Sequence, residues 1–429
     1  RGNTENIMSI FRHGHEGFKH GILINTEAFQ ETALHHLLNK TLNVINMKTN
    51  HFFWVLAASM LLTSCAATQE ERINKAIEQV MEQFECVGIS AAVVQNGKIV
   101  YNQSFGYQDL ETQTPLENDH MMRIASISKS FTATGLMQHV EKGIISLDDD
   151  ISDLIGFTIR NPHHPEVPIT LRMVLSHTAS FRDPENYSTL DHLNPAVNGD
   201  CAATYYEYKP GEGYNYSNLG LNLAGTILEK VSGVRFDQYV KDSIINRLGL
   251  YGGHNVDMLD TAKFASIYNY RDGKYVKSRA YSSVAHRLDN YIMGYSAPMF
   301  SPTGGVKISA HDLARYMMMH MNYGELDGVR IISEESAKTM QTPVWHIQNL
   351  HEWEDQYGLC LWEFIDFIHD DKYNTPGNYL IGHTGDAYGL RSIMIWSPTD
   401  KWGIVAMTNG YKYDPTFLQT LANAIYEAM

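Results

Sequence analysis

Three short runs carry residue types suited to acyl chemistry. In Arg123-Ile124-Ala125-Ser126-Ile127-Ser128-Lys129-Ser130-Phe131 a serine and a lysine stand three apart, where a helical pattern over Phe131 to Val140 begins. That spacing puts both side chains on one helix face. A lysine that sheds its charge through desolvation or a neighbouring cation can take or relay the serine proton. The field of the helix N-terminus favours the developing alkoxide. Surface Ser-Lys pairs are common, but this Ser-x-x-Lys is unique in the chain and sits among an alanine and isoleucines, which suits a buried site.

The second run is Tyr216-Ser217-Asn218, preceded by Pro210-Gly211-Glu212-Gly213-Tyr214-Asn215. A tyrosine beside an ammonium has its phenolate favoured, so Tyr216 reads as a general base for the serine and a proton donor to the leaving group. Asn218 reads as a holder of a substrate carbonyl or of the lysine. Among 25 tyrosines a packed one is the ordinary alternative, yet Tyr-x-Asn occurs only here. The third run, His383-Thr384-Gly385-Asp386, reads as leading into a strand from Gly389 to Trp396. A glycine on an edge strand admits a substrate backbone, and the following N–H, that of Asp386, can join the Ser126 N–H in an oxyanion hole. His383 by itself fits a structural hydrogen-bonder equally well.

These residues need a frame. Ile73, Ala76, Ile77, Val80, Met81 and Phe84 fall at helical spacing, which predicts a helix over Glu70 to Phe84. Ile89 to Gln95, Asn96-Gly97 and Lys98 to Gly106 read as a β-hairpin. Near the other end come a strand from Gly389 to Ser397, a turn at Pro398-Thr399-Asp400-Lys401, a strand from Trp402 to Thr408 and a helix from Pro415 to Met429. The pattern predicts an antiparallel sheet built from both chain ends around a mostly helical insert.

Composition bounds the rest. The chain has 429 residues, 44% of them hydrophobic, ample for a large core. With 33 basic against 48 acidic residues its formal charge is -15, which disfavours nucleic acid. Cys65, Cys86, Cys201 and Cys360 show neither metal-ligand spacing nor a disulfide framework. Met47-Lys48, an apolar run from Phe52 to Leu62 and Leu62-Thr63-Ser64-Cys65 read as an export signal. The run is short for a membrane-spanning helix. It looks like a bacterial lipoprotein signal over 47–65 that leaves Cys65 as the lipidated first residue. Residues 1–46 then lie upstream of the natural start, and the protein is expected on the periplasmic or cell-envelope face of a membrane, tethered by lipid.

Taken together in order and separation, the three runs resemble those of class C β-lactamases, penicillin-binding proteins and their D-alanyl-D-alanine carboxypeptidase and esterase relatives. The likeness extends to Ile169-Thr170-Leu171-Arg172-Met173-Val174-Leu175-Ser176-His177-Thr178, to Leu223 through Gly233, and to Ser301-Pro302-Thr303-Gly304-Gly305-Val306 with Asp312-Leu313-Ala314-Arg315. It implies an α/β (α+β) fold of the β-lactamase/transpeptidase type over 70–429. Its sheet part would fall at about 70–125 and 300–429 and its helical part at about 126–299. It implies Ser126 as nucleophile, Lys129 and Tyr216 as proton carriers, and the Ser126 and Asp386 N–H groups as oxyanion hole. Asn218, His383, Thr384 and Gly385 would bind substrate, with no metal or organic cofactor.

Three departures qualify the likeness. His383 stands where class C β-lactamases carry a lysine that meets the antibiotic carboxylate, so weak or no β-lactamase activity is expected. Ser217 replaces a usual alanine. His177-Thr178-Ala179-Ser180-Phe181 replaces the usual His-Thr-Ser-Gly, which should alter that loop. The leading expectation is hydrolysis of an ester or amide, perhaps a D-amino-acid peptide. The runner-up is acyl transfer to a hydroxyl of a small metabolite, such as a hydrophobic polycyclic one, with an apolar pocket drawn from Tyr205, Tyr206, Tyr208, Tyr268, Tyr270, Tyr281, Tyr291, Tyr295 and Phe300. A third is a non-catalytic cell-wall-binding or sensor protein.

Overall fold

Capping and turn chemistry start the fold. In the computed structural model the described residues are 67–348, 354–365, 367–374 and 378–429. The export signal, Cys65 and residues 1–46 lie outside them. Helix α1 (Gln69–Gln83) opens on a capping box: Thr68 Oγ1 accepts from the Glu71 N–H at 3.2 Å and the Glu71 carboxylate accepts from the Thr68 N–H at 2.8 Å. Its buried stripe is Ile73, Ile77 and Val80. Strands β1 (Gly88–Gln95) and β2 (Lys98–Asp109) meet at Asn96-Gly97, both with positive φ, as a two-residue hairpin demands.

The main sheet also contains β3 (Thr114–Pro115), β4 (Trp345–Gln348), β5 (Glu354–Tyr357), β6 (Trp362–Phe364), β7 (Leu380–Ala387), β8 (Leu390–Ser397) and β9 (Trp402–Thr408). Their order is β4-β5-β6-β7-β8-β9-β1-β2-β3, antiparallel throughout. Strand alternation sends Val93, Ile393, Ile395, Ile404 and Ala406 to one face, against α1 and the C-terminal helix. It sends Ala92, Val94, Met394, Trp396, Val405 and Met407 to the other. Both faces are covered, which is why β1 and β9 read as nearly continuous apolar runs rather than alternating ones.

Helix α2 (Ser128–Glu141) lies in the second core and packs on α3 (Asn218–Ser232). Ser128 through His139 are all buried, the mark of a helix enclosed on every side. Helix α4 (Ala310–Met321) lies against β1, β8 and β9, and α5 (Phe417–Ala428) packs on α1.

Two features depart from the sequence reading. The segment 126–299 is not helical alone: it holds a hairpin, Tyr268–Arg271 with Lys274–Lys277, turned by Asp272-Gly273, both with positive φ. It also supplies Gly252–Gly253 to a three-stranded ribbon with Met122–Arg123 and Lys307–Ile308. The His-Thr-Gly run, read as a lead-in, is itself the body of β7, joined to β8 by Tyr388-Gly389. Both turn residues have positive φ, so the hairpin is as tight as the first one without an Asn-Gly signal.

Candidate active site

Ser126 sits in a single 3-10 turn, Ala125–Ile127, that feeds directly into α2. Ala125 holds φ +45°, a left-handed value that costs a non-glycine residue about 1 kcal/mol or more. One turn on, Lys129 has no exposed surface, and its Nζ donates to Ser126 Oγ at 3.0 Å, Asn218 Oδ1 at 2.9 Å and the Thr303 carbonyl at 2.9 Å. Three acceptors use the three protons of an ammonium. Desolvation nevertheless brings Lys129 down to about 7, so near neutral pH it can both take and give a proton. Thr303 was not singled out in the sequence; its Oγ1 also donates to Asn218 Oδ1 at 2.8 Å.

Tyr216 lies under this pair. The Lys129 Nζ stands 4.7 Å from its ring centroid, and its hydroxyl is hydrogen-bonded to Ser126. Burial pushes the phenol above its ordinary value. This corrects the expectation of a favoured phenolate: the desolvation that strips charge from Lys129 keeps Tyr216 protonated, leaving the lysine as the group able to accept first.

The loop that carries Tyr216 and Asn218 is tied by Asp183. Its carboxylate accepts from the Ser217 hydroxyl at 2.8 Å and from the Asn218 and Leu219 N–H groups at 2.8 and 3.0 Å. Ser217 in turn caps α3 by accepting from the Gly220 N–H at 3.0 Å, a use for the serine at this position. Asp183 had no motif to reveal it. The His177 loop survives its missing glycine: Ser180 takes φ +59° itself, and its Oγ donates to the Ala179 carbonyl at 2.6 Å and accepts from Asn161 Nδ2 at 2.9 Å. His177 Nδ1 then accepts the Ser217 N–H at 3.1 Å, clamping the loop to the Tyr216 run.

Strand β7 forms the facing wall. β6 pairs with it only as far as Gly382, so 383–387 are bonded to β8 alone and present a free edge. The two-residue turn makes Ala387 and Leu390 the hydrogen-bonded pair next to it, and antiparallel alternation then points the Thr384 and Asp386 backbone groups away from β8. Gly385 is needed for a reason other than the one read from sequence. A Cβ there would lie 2.3 Å from the Ile124 carbonyl and 2.3 Å from Ser392 Oγ, so its bareness lets β7 approach the turn bearing Ser126 rather than the substrate.

His383 is buried, and desolvation with the nearby Lys129 charge takes it down to about 3. Its Nδ1 contacts the Thr384 carbonyl at 2.6 Å and must donate, so Nε2 accepts from the Tyr357 hydroxyl at 3.4 Å. It presents neither charge nor a spare proton to the cavity.

The residues converge on one cavity of about 790 Å³, whose walls include Ser126, Tyr216, Asn218, His383, Thr384 and Asp386. Lys129 and Gly385 stand behind that surface. Of the nine aromatics proposed for an acceptor pocket only Phe300 reaches it. The others are spent on packing: Tyr205 on Phe181, Tyr206 on Tyr208, Tyr270 on Tyr275 and Tyr281 on Phe264. The Tyr268 hydroxyl accepts from the Leu110 N–H at 2.9 Å, Tyr291 bonds Glu229, and Tyr295 donates to Asp191 at 2.6 Å. The three described cysteines are free thiols.

Comparison with known proteins identifies the fold and the family. Protein flp of Staphylococcus aureus strain N315 is 23% identical over 365 residues, covering 83% of this chain and 66% of its own length, so the chain spans just under two thirds of that relative. The octameric penicillin-binding protein homologue from Pyrococcus abyssi superposes with a TM-score of 0.66 at 26% identity, over 83% of this chain and 77% of that one. EstCE1, described as a hydrolase with promiscuous acyltransferase activity, superposes with a TM-score of 0.64 at 20% identity, over 83% of this chain and 97% of that one. The family profile described as Beta-lactamase matches residues 73–426, and the chain therefore belongs to the beta-lactamase family of serine-hydrolase folds.

Proposed function

We propose that the chain is a serine hydrolase that cleaves an ester or amide through an acyl-enzyme on Ser126. The observation that carries this reading is the enclosed Lys129, held to about 7 with its Nζ 3.0 Å from Ser126 Oγ at the wall of an open cavity. Ser126 Oγ forms a bond to the substrate carbonyl carbon as its proton passes to neutral Lys129. The resulting oxyanion is met by the N–H groups of Ser126 and Asp386. As the carbon–oxygen or carbon–nitrogen bond breaks, the leaving group takes a proton relayed from Lys129 through the Tyr216 hydroxyl. Water then adds to the acyl ester, gives its proton to the same pair and expels Ser126 Oγ, which recovers it. Asn218 and the free edge of β7 hold the substrate.

The acyl group belongs to a small ester or a D-amino-acid peptide, and penicillins are poor substrates because His383 offers no cation. Acyl transfer to an alcohol is a second reading, favoured by the roomy cavity and by the likeness to EstCE1. A purely non-catalytic sensor role has the intact Ser126, Lys129 and Tyr216 against it. The enzyme works outside the cytoplasm as a lipoprotein tethered through Cys65.

The test pairs p-nitrophenyl butyrate and a fluorescent penicillin with the wild type and Ser126→Ala. Nitrophenol release should depend on Ser126, and penicillin labelling should be slow. Release that is equal in the two proteins, or absent with no labelling either, overturns the reading. Mass spectrometry with added alcohols separates transfer from hydrolysis.

A further inference from the structure

The cavity has a second pole that the acyl chemistry does not use. In the three-stranded ribbon, Met122 and Ile308 pair with their side chains in the core, so the next pair, Arg123 and Lys307, points together to the opposite face and onto the cavity wall. Two basic side chains directly opposite one another repel and weaken a strand pair. The fold keeps them there. Gly253, on the other side of Lys307, contributes no side chain to that face.

Neither group has an ion-pair partner among the described residues. Lys307 is 4% exposed; among the described residues its ammonium bonds one carbonyl, that of His254, and the acidic groups whose field reaches it, Asp257 and Asp237, form no ion pair with it. Arg123 donates from Nε to the Gly304 carbonyl at 2.7 Å and from Nη2 to Ser301 Oγ at 3.1 Å, with Tyr388 4.9 Å beneath its guanidinium. Those partners are all uncharged, and Nη1 makes no hydrogen bond among the described residues. Arg279 and Arg287 lie further along the same wall, with no acidic partner among the described residues. The single acidic residue of the lining, Asp386, is paired with Arg391 at 3.0 Å. A chain of formal charge -15 thus lines its main cavity with four basic residues against one acidic one.

We propose that Arg123 and Lys307 form an anion subsite, which receives a carboxylate or phosphoryl group carried by the acyl substrate at the end of the cavity away from His383. This deepens the hydrolase reading and rests on it for the word substrate. Burial and the neighbouring Arg123 hold Lys307 well below its ordinary value, against the opposing fields of Asp257 and Asp237, and an incoming anion restores its charge. The distance from the neutral pole follows from β7: Tyr388 is five residues beyond His383, roughly 17 Å along an extended strand. A linear substrate crossing Ser126 therefore meets hydrogen bonds at one end and charge at the other. The lysine that antibiotic-hydrolysing relatives place in the His383 position has no equivalent at that end; the cationic groups stand at the other.

The test compares kcat/KM for p-nitrophenyl hexanoate with that for two anionic counterparts, mono-p-nitrophenyl glutarate and p-nitrophenyl 4-phosphonobutanoate, which separate a carboxylate from a phosphoryl preference. The wild type should favour at least one anionic ester by about tenfold or more. In Lys307→Met and Arg123→Met that ratio should collapse toward one, and Lys307→Arg should restore it. A wild-type ratio near one, or a ratio unchanged in both Met variants, overturns the subsite. Should the variants fail to fold, free glutarate and inorganic phosphate titrated into the wild type decide it: one of them must inhibit hexanoate turnover competitively. Should no ester be turned over, the hydrolase reading fails by itself, and calorimetric binding of glutarate or phosphate to Ser126→Ala still decides the subsite, with absence of heat overturning it.

Discussion

Lys129 and Lys307 are two buried lysines on the margin of one cavity, and their partners set them apart. Lys129 is held by a hydroxyl, an amide oxygen and a carbonyl, all from residues tied in turn to the serine turn, α3 and the Thr303 loop. Lys307 has one carbonyl and faces a second cation. Burial strips charge from both. The first environment leaves a lysine beside a proton it can exchange; the second leaves a lysine opposite another basic side chain, with Asp257 and Asp237 acting on it but no hydroxyl in reach among the described residues. Desolvation alone therefore does not single out the proposed base; the hydroxyl 3.0 Å from Lys129 does.

The largest way to break this contrast is to remove each ammonium in turn. Lys129→Met should lower kcat/KM for a neutral ester by about 10²–10⁴-fold, the range for loss of a positioned acid–base group. The effect of Lys307→Met should fall on the anionic-to-neutral ratio instead. Equal losses on a neutral ester from both would erase the distinction.

Next is the approach of β7. Gly385→Ala forces a Cβ against the Ile124 carbonyl and Ser392 Oγ, so β7 and the Ser126 turn must separate. A displacement on the order of 1 Å should cost about 10²-fold in kcat/KM. Wild-type kinetics in that variant would show that Gly385 is not what sets the spacing.

The pH profile sharpens the contrast further. Lys129 is the base only when neutral, so kcat/KM should fall about tenfold per unit below its value near 7 and level off above it. His383, held near 3, stays neutral across that range and contributes no limb. Glu363, buried on β6, is also pushed up to about 7, so Glu363→Gln must leave the limb in place if it belongs to Lys129. The smallest effect is expected at Ser180, where glycine would take the same left-handed backbone without strain. Ser180→Gly should shift stability by about 1 kcal/mol or less, because the relief is offset by a looser unfolded chain and the loss of the Asn161 bond. Thermal denaturation measures it.

Local patterns were legible where one segment decides the outcome. The first hairpin could be read because Asn96-Gly97 selects its turn, and α1 because its apolar stripe is contiguous. Tyr388-Gly389 and Asp272-Gly273 turn their hairpins with the same positive φ, but no regular apolar alternation flanks them, so where β7 ends and that a second hairpin forms depend on tertiary packing.

By itself the sequence determined which residues could do the chemistry: a unique Ser126-x-x-Lys129, a unique Tyr216-x-Asn218 and one His383-Thr384-Gly385. Only the tertiary structure decided their charge states and their surroundings. Protonation depends on desolvation by residues distant in the chain, which is why Tyr216 is a phenol and His383 neutral. Proximity depends on strand register, which brings Arg123 opposite Lys307 across 184 positions of sequence, a pairing no local pattern encodes.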